Sequence, residues 1–249
     1  MTDRGFVPSW LVDVHYLSEK AAKQWKALKA LREAFTVPSV FMADNLFAFS
    51  RSLSFLTDQK FMDAFMGAQP DRTEKAQVWR KHTLYWAAQR AMALPGDFVE
   101  AACYKGFTAR VLCNALDLRA AGKCFWLYDM LDNADSHRLE AHSPDLYAEV
   151  MQRFAADPVR VVKGRLPDCL STESPAAISL LHIDMNNAPA EIGTLKVLWD
   201  RIATGGTIVL DDYGWSGYRE QTQAFNEWFA AHHAPVLEMP TGQGVVIKP

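Results

Sequence analysis

A marked excess of charge of either sign is what this sequence most plainly lacks. Its 249 residues carry 26 basic and 29 acidic side chains, a net charge of -3, and no long run of lysine or arginine. The electrostatic footprint of a protein that grips a phosphate backbone is therefore missing, and no nucleic-acid partner is expected. Cysteine is scarce. Cys103, Cys113, Cys124 and Cys169 show no C-x-x-C spacing and three lie in apolar segments, so they read as reduced core thiols rather than zinc ligands or disulfides. No apolar stretch approaches the roughly 18 residues that would span a bilayer, and Met1-Thr-Asp-Arg-Gly5 lacks the charged and apolar regions of a secretory signal. A cytoplasmic protein with no membrane partner is the expectation. Internal repeats and low-complexity tracts are also absent.

What the chain does contain is enough apolar residue for one large α/β domain with an appendage, and its texture changes near Leu94-Pro95-Gly96. Before that point, Ser18 to Ala34, Asp44 to Met66 and Asp71 to Ala93 show apolar residues at helical spacing with almost no β-branched runs. Residues 1–93 are read as a helical region. Its aromatics Phe47, Phe49, Phe55, Phe61 and Phe65 suit a core, an interface or a lid. After Gly96, short apolar strands alternate with helical stretches, the signature of βαβ units and a mostly parallel sheet. Strands are predicted at Asp97–Ala102, Lys123–Tyr128, Val159–Lys163, Ala177–Asp184, Thr207–Asp211, Val236–Met239 and Val245–Lys248, with helices at about Gly106–Ala120, Pro144–Ala155, Pro189–Ala203 and Trp215–His232. The turn Pro240-Thr-Gly-Gln-Gly244 is too short for a crossover helix, so the last two strands should pair antiparallel. Residues 94–249 are thus expected to form a Rossmann-like α/β domain whose seven-stranded sheet, parallel except for a C-terminal antiparallel strand, is the arrangement of class I methyltransferases.

In such sheets ligands sit beyond the carboxyl ends of the strands. The first end, Gly96-Asp-Phe-Val-Glu-Ala-Ala-Cys-Tyr-Lys-Gly106, runs into a helix starting near Phe107. Free N–H groups at that start suit an anion, Gly106 would let a ligand approach the backbone, and Thr108 is placed either to cap the helix and donate to the anion or simply to cap it. This stretch resembles the first motif of the macrocin O-methyltransferase (TylF) family, F-V-E-C-G-V-Y-K-G. Glu100, Tyr104-Lys105-Gly106 and the spacing are kept, while Ala102 replaces the usual glycine and adds a Cβ where the backbone faces the cofactor. The resemblance implies an S-adenosylmethionine site lined by Glu100, Ala102, Tyr104, Gly106 and Thr108, the anion being the methionine carboxylate.

The second end, Phe125-Trp-Leu-Tyr-Asp129, finishes in an acid at a spacing suited to both ribose hydroxyls, and Asp129 is read as the ribose residue; a cap in the loop Asp132–Asp135 is the alternative. The third, Val161-Val-Lys-Gly-Arg-Leu-Pro-Asp168, is similar to the family's V-x-K-G-x-F-P-D segment beside the adenine, which places Gly164 there and leaves Lys163 and Arg165 in solvent.

The fourth strand ends Leu180-Leu-His-Ile-Asp184 and the fifth ends Ile208-Val-Leu-Asp211-Asp212. Three carboxylates at neighbouring strand ends repel one another unless compensated, and a divalent cation such as Mg²⁺ would do this, since oxygen ligands suit Mg²⁺, Mn²⁺ or Ca²⁺ better than zinc. The resemblance implies the same: the family's L-H-I/L-D and D-D-Y-G segments match His182-Ile-Asp184 and Asp211-Asp-Tyr-Gly214, making Asp184, Asp211 and Asp212 metal ligands, with Asn186 or Asn187 as a further oxygen. Asp184 is then the candidate general base for an acceptor hydroxyl. His182, on the same face of the same strand, reads either as a catalytic group or as a satisfied core histidine.

The resemblance runs over about Leu94 to Lys248, including the closing Pro240-Thr-Gly-Gln-Gly-Val-Val-Ile-Lys248. It implies transfer of a methyl group to a small-molecule hydroxyl, a sugar hydroxyl among the candidates, with residues 1–93 forming a lid and the contact between subunits of a homo-oligomer. A nicotinamide-dependent oxidoreductase would want a Tyr-x-x-x-Lys pair beyond the central strands, but that spacing occurs only at Tyr16–Lys20. An S-adenosylmethionine-binding protein without turnover is the other rival, and the intact acids speak against it.

Overall fold

Where the chain must reverse between two short apolar runs, Asp44 and Asn45 do it with left-handed backbone, φ 52° and 58°, a conformation their short polar side chains tolerate. The computed structural model describes residues 40–131 and 145–249, together with positions 26, 27, 29, 30, 33 and 34, which are helical. The rest of the helix expected from Ser18 to Ala34 lies outside the described residues. Two compact units divide the chain, Met1–His82 and Thr83–Pro249.

In the first unit, Val40–Ala43 (β1) and Leu46–Phe49 (β2) form an antiparallel hairpin. This corrects the helix predicted from Asp44. The left-handed pair at 44–45 twists the backbone as two-residue hairpins require, and that local turn overrides the helical spacing of the phenylalanines. Helix α1 (Gln59–Gly67) begins where the Asp58 carboxylate accepts from the Phe61 N–H and buries Phe61, Ala64 and Phe65 along one stripe. Helix α2 (Arg72–Ala76) opens on a capping box in which Asp71 and Glu74 each satisfy the other's backbone N–H. The buried Arg80 guanidinium donates to both Asp44 oxygens, at 2.5 and 3.3 Å. Helix α3 (Val78–Ala91) runs across the boundary between the units.

The second unit is built on a seven-stranded sheet of Asp97–Ala101 (β3), Phe125–Asp129 (β4), Val159–Lys163 (β5), Ile178–Ile183 (β6), Ile202–Leu210 (β7), Leu237–Glu238 (β8) and Gly244–Ile247 (β9). Its order is β5-β4-β3-β6-β7-β9-β8; the first five strands are parallel and β9 pairs antiparallel with both β7 and β8. This is the expected topology, with the hairpin inserted so that its last strand, not its first, meets β7. Helices α4 (Phe107–Ala115), α5 (Leu146–Arg153), α6 (Ala188–Leu198) and α7 (Arg219–Ala231) are the connections, each shorter than predicted. β4 and β6 are buried at every position, as strands covered on both faces must be. The four cysteines are free. Among the described residues no helix is long and apolar enough to cross a membrane.

Candidate active site

Backbone hydrogen bonds, more than side chains, shape the first half of the site. The chain leaving β3 folds onto the end of β4: the Ala102 and Cys103 N–H groups donate to the Tyr128 carbonyl at 2.8 and 3.2 Å. One step further, the Tyr104 N–H donates to Asp129 Oδ2 at 2.8 Å, and the Leu131 N–H to Oδ1 at 3.1 Å. Asp129, the last residue of β4, thus ties two loops together, and each carboxylate oxygen keeps a further lone pair for a ligand hydroxyl. The loop alternates in and out of left-handed backbone, with φ of 72° at Ala102, 48° at Tyr104 and 71° at Gly106. Ala102 therefore occupies a conformation that glycine adopts freely and alanine only at a cost of about 1–2 kcal/mol.

Gly106 is the N-cap of α4, and a Cβ there would come within 2.6 Å of the Phe154 ring. Packing of the chain after α5 is thus one reason for glycine at this position. Thr108 does not cap the helix as expected, because the helix begins at Phe107 and Thr108 lies buried inside its first turn. Gly164 sits after β5 with its N–H on the Asp129 carbonyl, and a Cβ would meet that of Cys169 at 2.6 Å. Lys163 and Arg165 are exposed. The loop Asp132–Asp135 lies outside the described residues.

The second half is electrostatic. In the parallel ladders His182 pairs with Glu100 on β3 and with Val209 on β7, so the three share a face, and strand alternation carries that face on to Asp184 and Asp211. His182 Nδ1 lies 3.0 Å from Glu100 Oε1, and Nε2 lies 3.5 Å from Asp211 Oδ1. All three side chains are buried, and Glu100 Oε2 and His182 Nε2 have no hydrogen-bond partner. Burial by itself would lower the imidazole pKa, but hydrogen bonding and charge from Asp211 and Glu100 outweigh it and push it up to about 9. Ligand atoms of His182, Asp184 and Asp211 lie within 4.8 Å of one another. Asp212, buried beside them, falls outside that group. Glu100 is therefore a partner of His182 in the sheet interior and not a residue at the open strand end.

Asn187 uses its side-chain oxygen to cap α6, accepting from the Ala190 N–H at 3.0 Å, while Asn186 is exposed with φ 55°. Two groups at this end escaped the sequence reading. Glu191, fully buried in the first turn of α6, accepts from Gln221 on α7 at 2.8 Å. Burial raises its carboxyl pKa to about 7, against the backbone N–H groups of Met185, Asn186 and Asn187, which favour the charged form. From sequence it is an ordinary acid near a helix N-terminus, and no local signal announces its burial. Gln243, fully buried in the turn before β9, donates to Asp211 Oδ1 at 2.8 Å.

Residues 99–213 match the family described as a methyltransferase domain. No curated protein matches the chain. Among solved structures, the O-methyltransferase NovP shares 18% identity over 70% of this chain and 81% of its own, with a TM-score of 0.59. The calicheamicin methyltransferase CalS11 shares 13% identity over 99% of both chains, with a TM-score of 0.57. TomG, an O-methyltransferase from Streptomyces achromogenes solved in complex with SAM, shares 12% over 79% of this chain and 95% of its own, with a TM-score of 0.52. At these identities the likeness speaks for the fold alone. Residues 99–213 are thus similar to a methyltransferase domain, and the sheet from β3 to β9 has the class I methyltransferase fold.

Proposed function

We propose that this protein is an S-adenosylmethionine-dependent O-methyltransferase acting on a hydroxyl of a small molecule, with a divalent cation at the acceptor end. The observation that carries the reading is the juxtaposition, on one methyltransferase sheet, of the Ala102–Gly106 loop and Asp129 at the ends of β3 and β4 with Asp184, Asp211 and Asp212 beyond β6 and β7. Bound S-adenosylmethionine would supply the electrophilic methyl group. In this reading Asp129 accepts from the ribose hydroxyls, and the left-handed loop from Ala102 to Gly106 receives the methionine end. The calicheamicin and tomaymycin relatives favour a natural-product hydroxyl, a sugar among the candidates.

The acids fit a cation. Asp184 is half-exposed where the others are buried, its carboxylate lies within 4.8 Å of the ligand atoms of Asp211 and His182, and oxygen donors dominate. Asp184, Asp211 and Asp212 would hold Mg²⁺ or Mn²⁺, which would lower the pKa of the acceptor hydroxyl and orient it. Asp184, the most accessible of the three, is placed to take the proton. A second reading keeps the methyl transfer and omits the metal, because His182, charged between Glu100 and Asp211, already offsets part of the carboxylate repulsion.

The test has two arms. S-adenosylmethionine and its demethylated product should each raise the melting temperature, corresponding to about 2.7 kcal/mol at a hundred times the dissociation constant, and NAD should leave it unmoved. Labelled methyl transfer to a panel of sugar nucleotides, glycosides and phenols should then require Mg²⁺. Stabilisation by NAD alone would overturn the methyltransferase reading, and full turnover in excess EDTA would select the metal-free one.

A further inference from the structure

The segment Pro240-Thr-Gly-Gln-Gly244 reads in sequence as a bare turn, yet it is fastened along the whole chemical end of the site. The Gly214 N–H donates to the Gly242 carbonyl at 2.7 Å, and Trp215 Nε1 donates to the Thr241 carbonyl at 3.3 Å. Within the turn, the Gly242 N–H donates to the Met239 carbonyl at 2.9 Å and the Met239 N–H to the Gln243 carbonyl at 2.8 Å. Gly242, at φ 81°, leaves no room for a Cβ, which would stand 2.4 Å from the Trp215 ring. Gly244 pairs with Leu210, the residue before Asp211. The turn and the chain from Asp211 to Trp215 are thus locked to each other by backbone and ring contacts.

Inside this lock the Gln243 side chain, with no exposed surface, donates from Nε2 to Asp211 Oδ1, and its Oε1 accepts from the Thr241 hydroxyl at 3.0 Å. A carboxylate only accepts, so the amide nitrogen must face Asp211, and the Thr241 hydroxyl fixes the other end. The same Asp211 oxygen, Oδ1, faces His182 Nε2 at 3.5 Å, and His182 is held in turn by Glu100. A buried polar chain therefore crosses β3, β6, β7 and the turn before β9, with Asp211 at its centre. Gln243 offers this carboxylate a donor whose own orientation is fixed by Thr241.

We propose that Gln243, backed by Thr241, is a positioning residue that fixes the Asp211 carboxylate, making the C-terminal hairpin a part of the acceptor end. The inference rests on the reading of Asp211 as a metal ligand, and its test is built to fail separately from that reading. Mn²⁺ binding to the full chain, followed by electron paramagnetic resonance, comes first. Outer partners of metal ligands are worth about 10–100-fold in metal affinity, so Gln243→Met should weaken Mn²⁺ at least tenfold. S-adenosylmethionine affinity should stay within about twofold, because the cofactor loop is elsewhere. Thr241→Val should weaken Mn²⁺ by a smaller factor and Thr241→Ser, which keeps the hydroxyl, should restore it; a purely structural role would not follow the hydroxyl in this way.

The second measurement needs no metal. In EDTA, the unfolding midpoints of Gln243→Met, Asp211→Ala and the double variant should be non-additive, since either change removes the same contact. Additive midpoints overturn the inference, as does wild-type Mn²⁺ affinity in Gln243→Met. If the wild-type protein binds no Mn²⁺ while the midpoints remain coupled, the metal reading falls and the positioning of Asp211 by Gln243 stands. Should Gln243→Met fail to fold, the same cycle with Thr241→Val decides the matter.

Discussion

Two histidines, a half-buried one in the first unit and a buried one in the second, are driven in opposite directions. His82 lies between Phe55 and Phe61, with ring centroids 5.2 and 5.1 Å away, and burial lowers its pKa despite the charge of Asp58. His182 lies between Glu100 and Asp211 and is pushed up. The surroundings differ in the same sense. Residues 40–82 match a buried guanidinium with a carboxylate, whereas every buried side-chain N or O atom without a hydrogen-bond partner, among the described residues, belongs to the second unit. Native interiors pair nearly all buried polar groups, so the exceptions at Glu100 and His182, beside Asp211, mark a place shaped for something other than stability.

The largest expected effect sets the paired region against the unpaired one. Asp44→Asn keeps a residue that tolerates left-handed backbone but leaves the Arg80 charge buried without its counter-ion, and should lower the unfolding free energy by about 3–5 kcal/mol. Asp184→Asn, which takes one charge from a half-exposed carboxylate cluster, should change it by no more than about 0.5 kcal/mol or raise it. Urea titrations of both variants measure this, and equal losses would break the comparison.

Next in size is the pH dependence of stability in EDTA. His182 binds its proton more tightly when folded, with its pKa raised from 6.5 to about 9, so its stabilising contribution is complete below pH 6.5 and drains away as pH rises to about 9. The slope should approach 1.4 kcal/mol per pH unit at its steepest, by linkage of about one proton. His82, whose folded pKa is lowered from 6.5, binds its proton less tightly when folded, so its effect has the opposite sign: stability should rise with pH toward 6.5. Replacing His182 by Asn should flatten the alkaline limb and His82 by Gln the acid one; a single limb responding to both variants would show that the two environments are not independent.

The smallest effect compares two left-handed residues. Asn45 tolerates its φ of 58°, whereas Ala102 at 72° does not. Ala102→Gly should therefore stabilise the protein by about 0.5–1 kcal/mol, the relief of strain exceeding the entropy glycine adds to the unfolded chain, while Asn45→Gly should shift stability by only a few tenths. Thermal melts of the two variants sharpen the contrast, and an Ala102→Gly protein less stable than the parent would contradict the strain.

The legibility of the fold also divides between the regions. From Asp97 onward, apolar runs of strand length between amphipathic stretches located all seven strands along the chain, most plainly β4 and β6, where burial on both faces writes itself into consecutive residues. Before that, Phe47 and Phe49 looked helical, although Asp44-Asn45 between two short apolar runs was a hairpin signal that helical spacing masked. At the site, the placing of Asp129, Asp184, Asp211 and Asp212 at strand ends was legible. That Thr108 lies within the helix and not at its cap was not, since helix starts are set by where backbone donors find partners.

By itself, then, the sequence determined which segments become strands, that the sheet closes in an antiparallel hairpin, and that acids cluster at the ends of three strands. Period and composition act within a segment, so these features need no knowledge of neighbours. Only the tertiary structure decided that His182 lies between Glu100 and Asp211, that Asp212 falls outside the group formed by His182, Asp184 and Asp211, and that Gln243 reaches back to Asp211. Those contacts join residues far apart in the chain, and they depend on strand order and register. A slip of one position would turn each side chain to the opposite face, and no single segment encodes that choice.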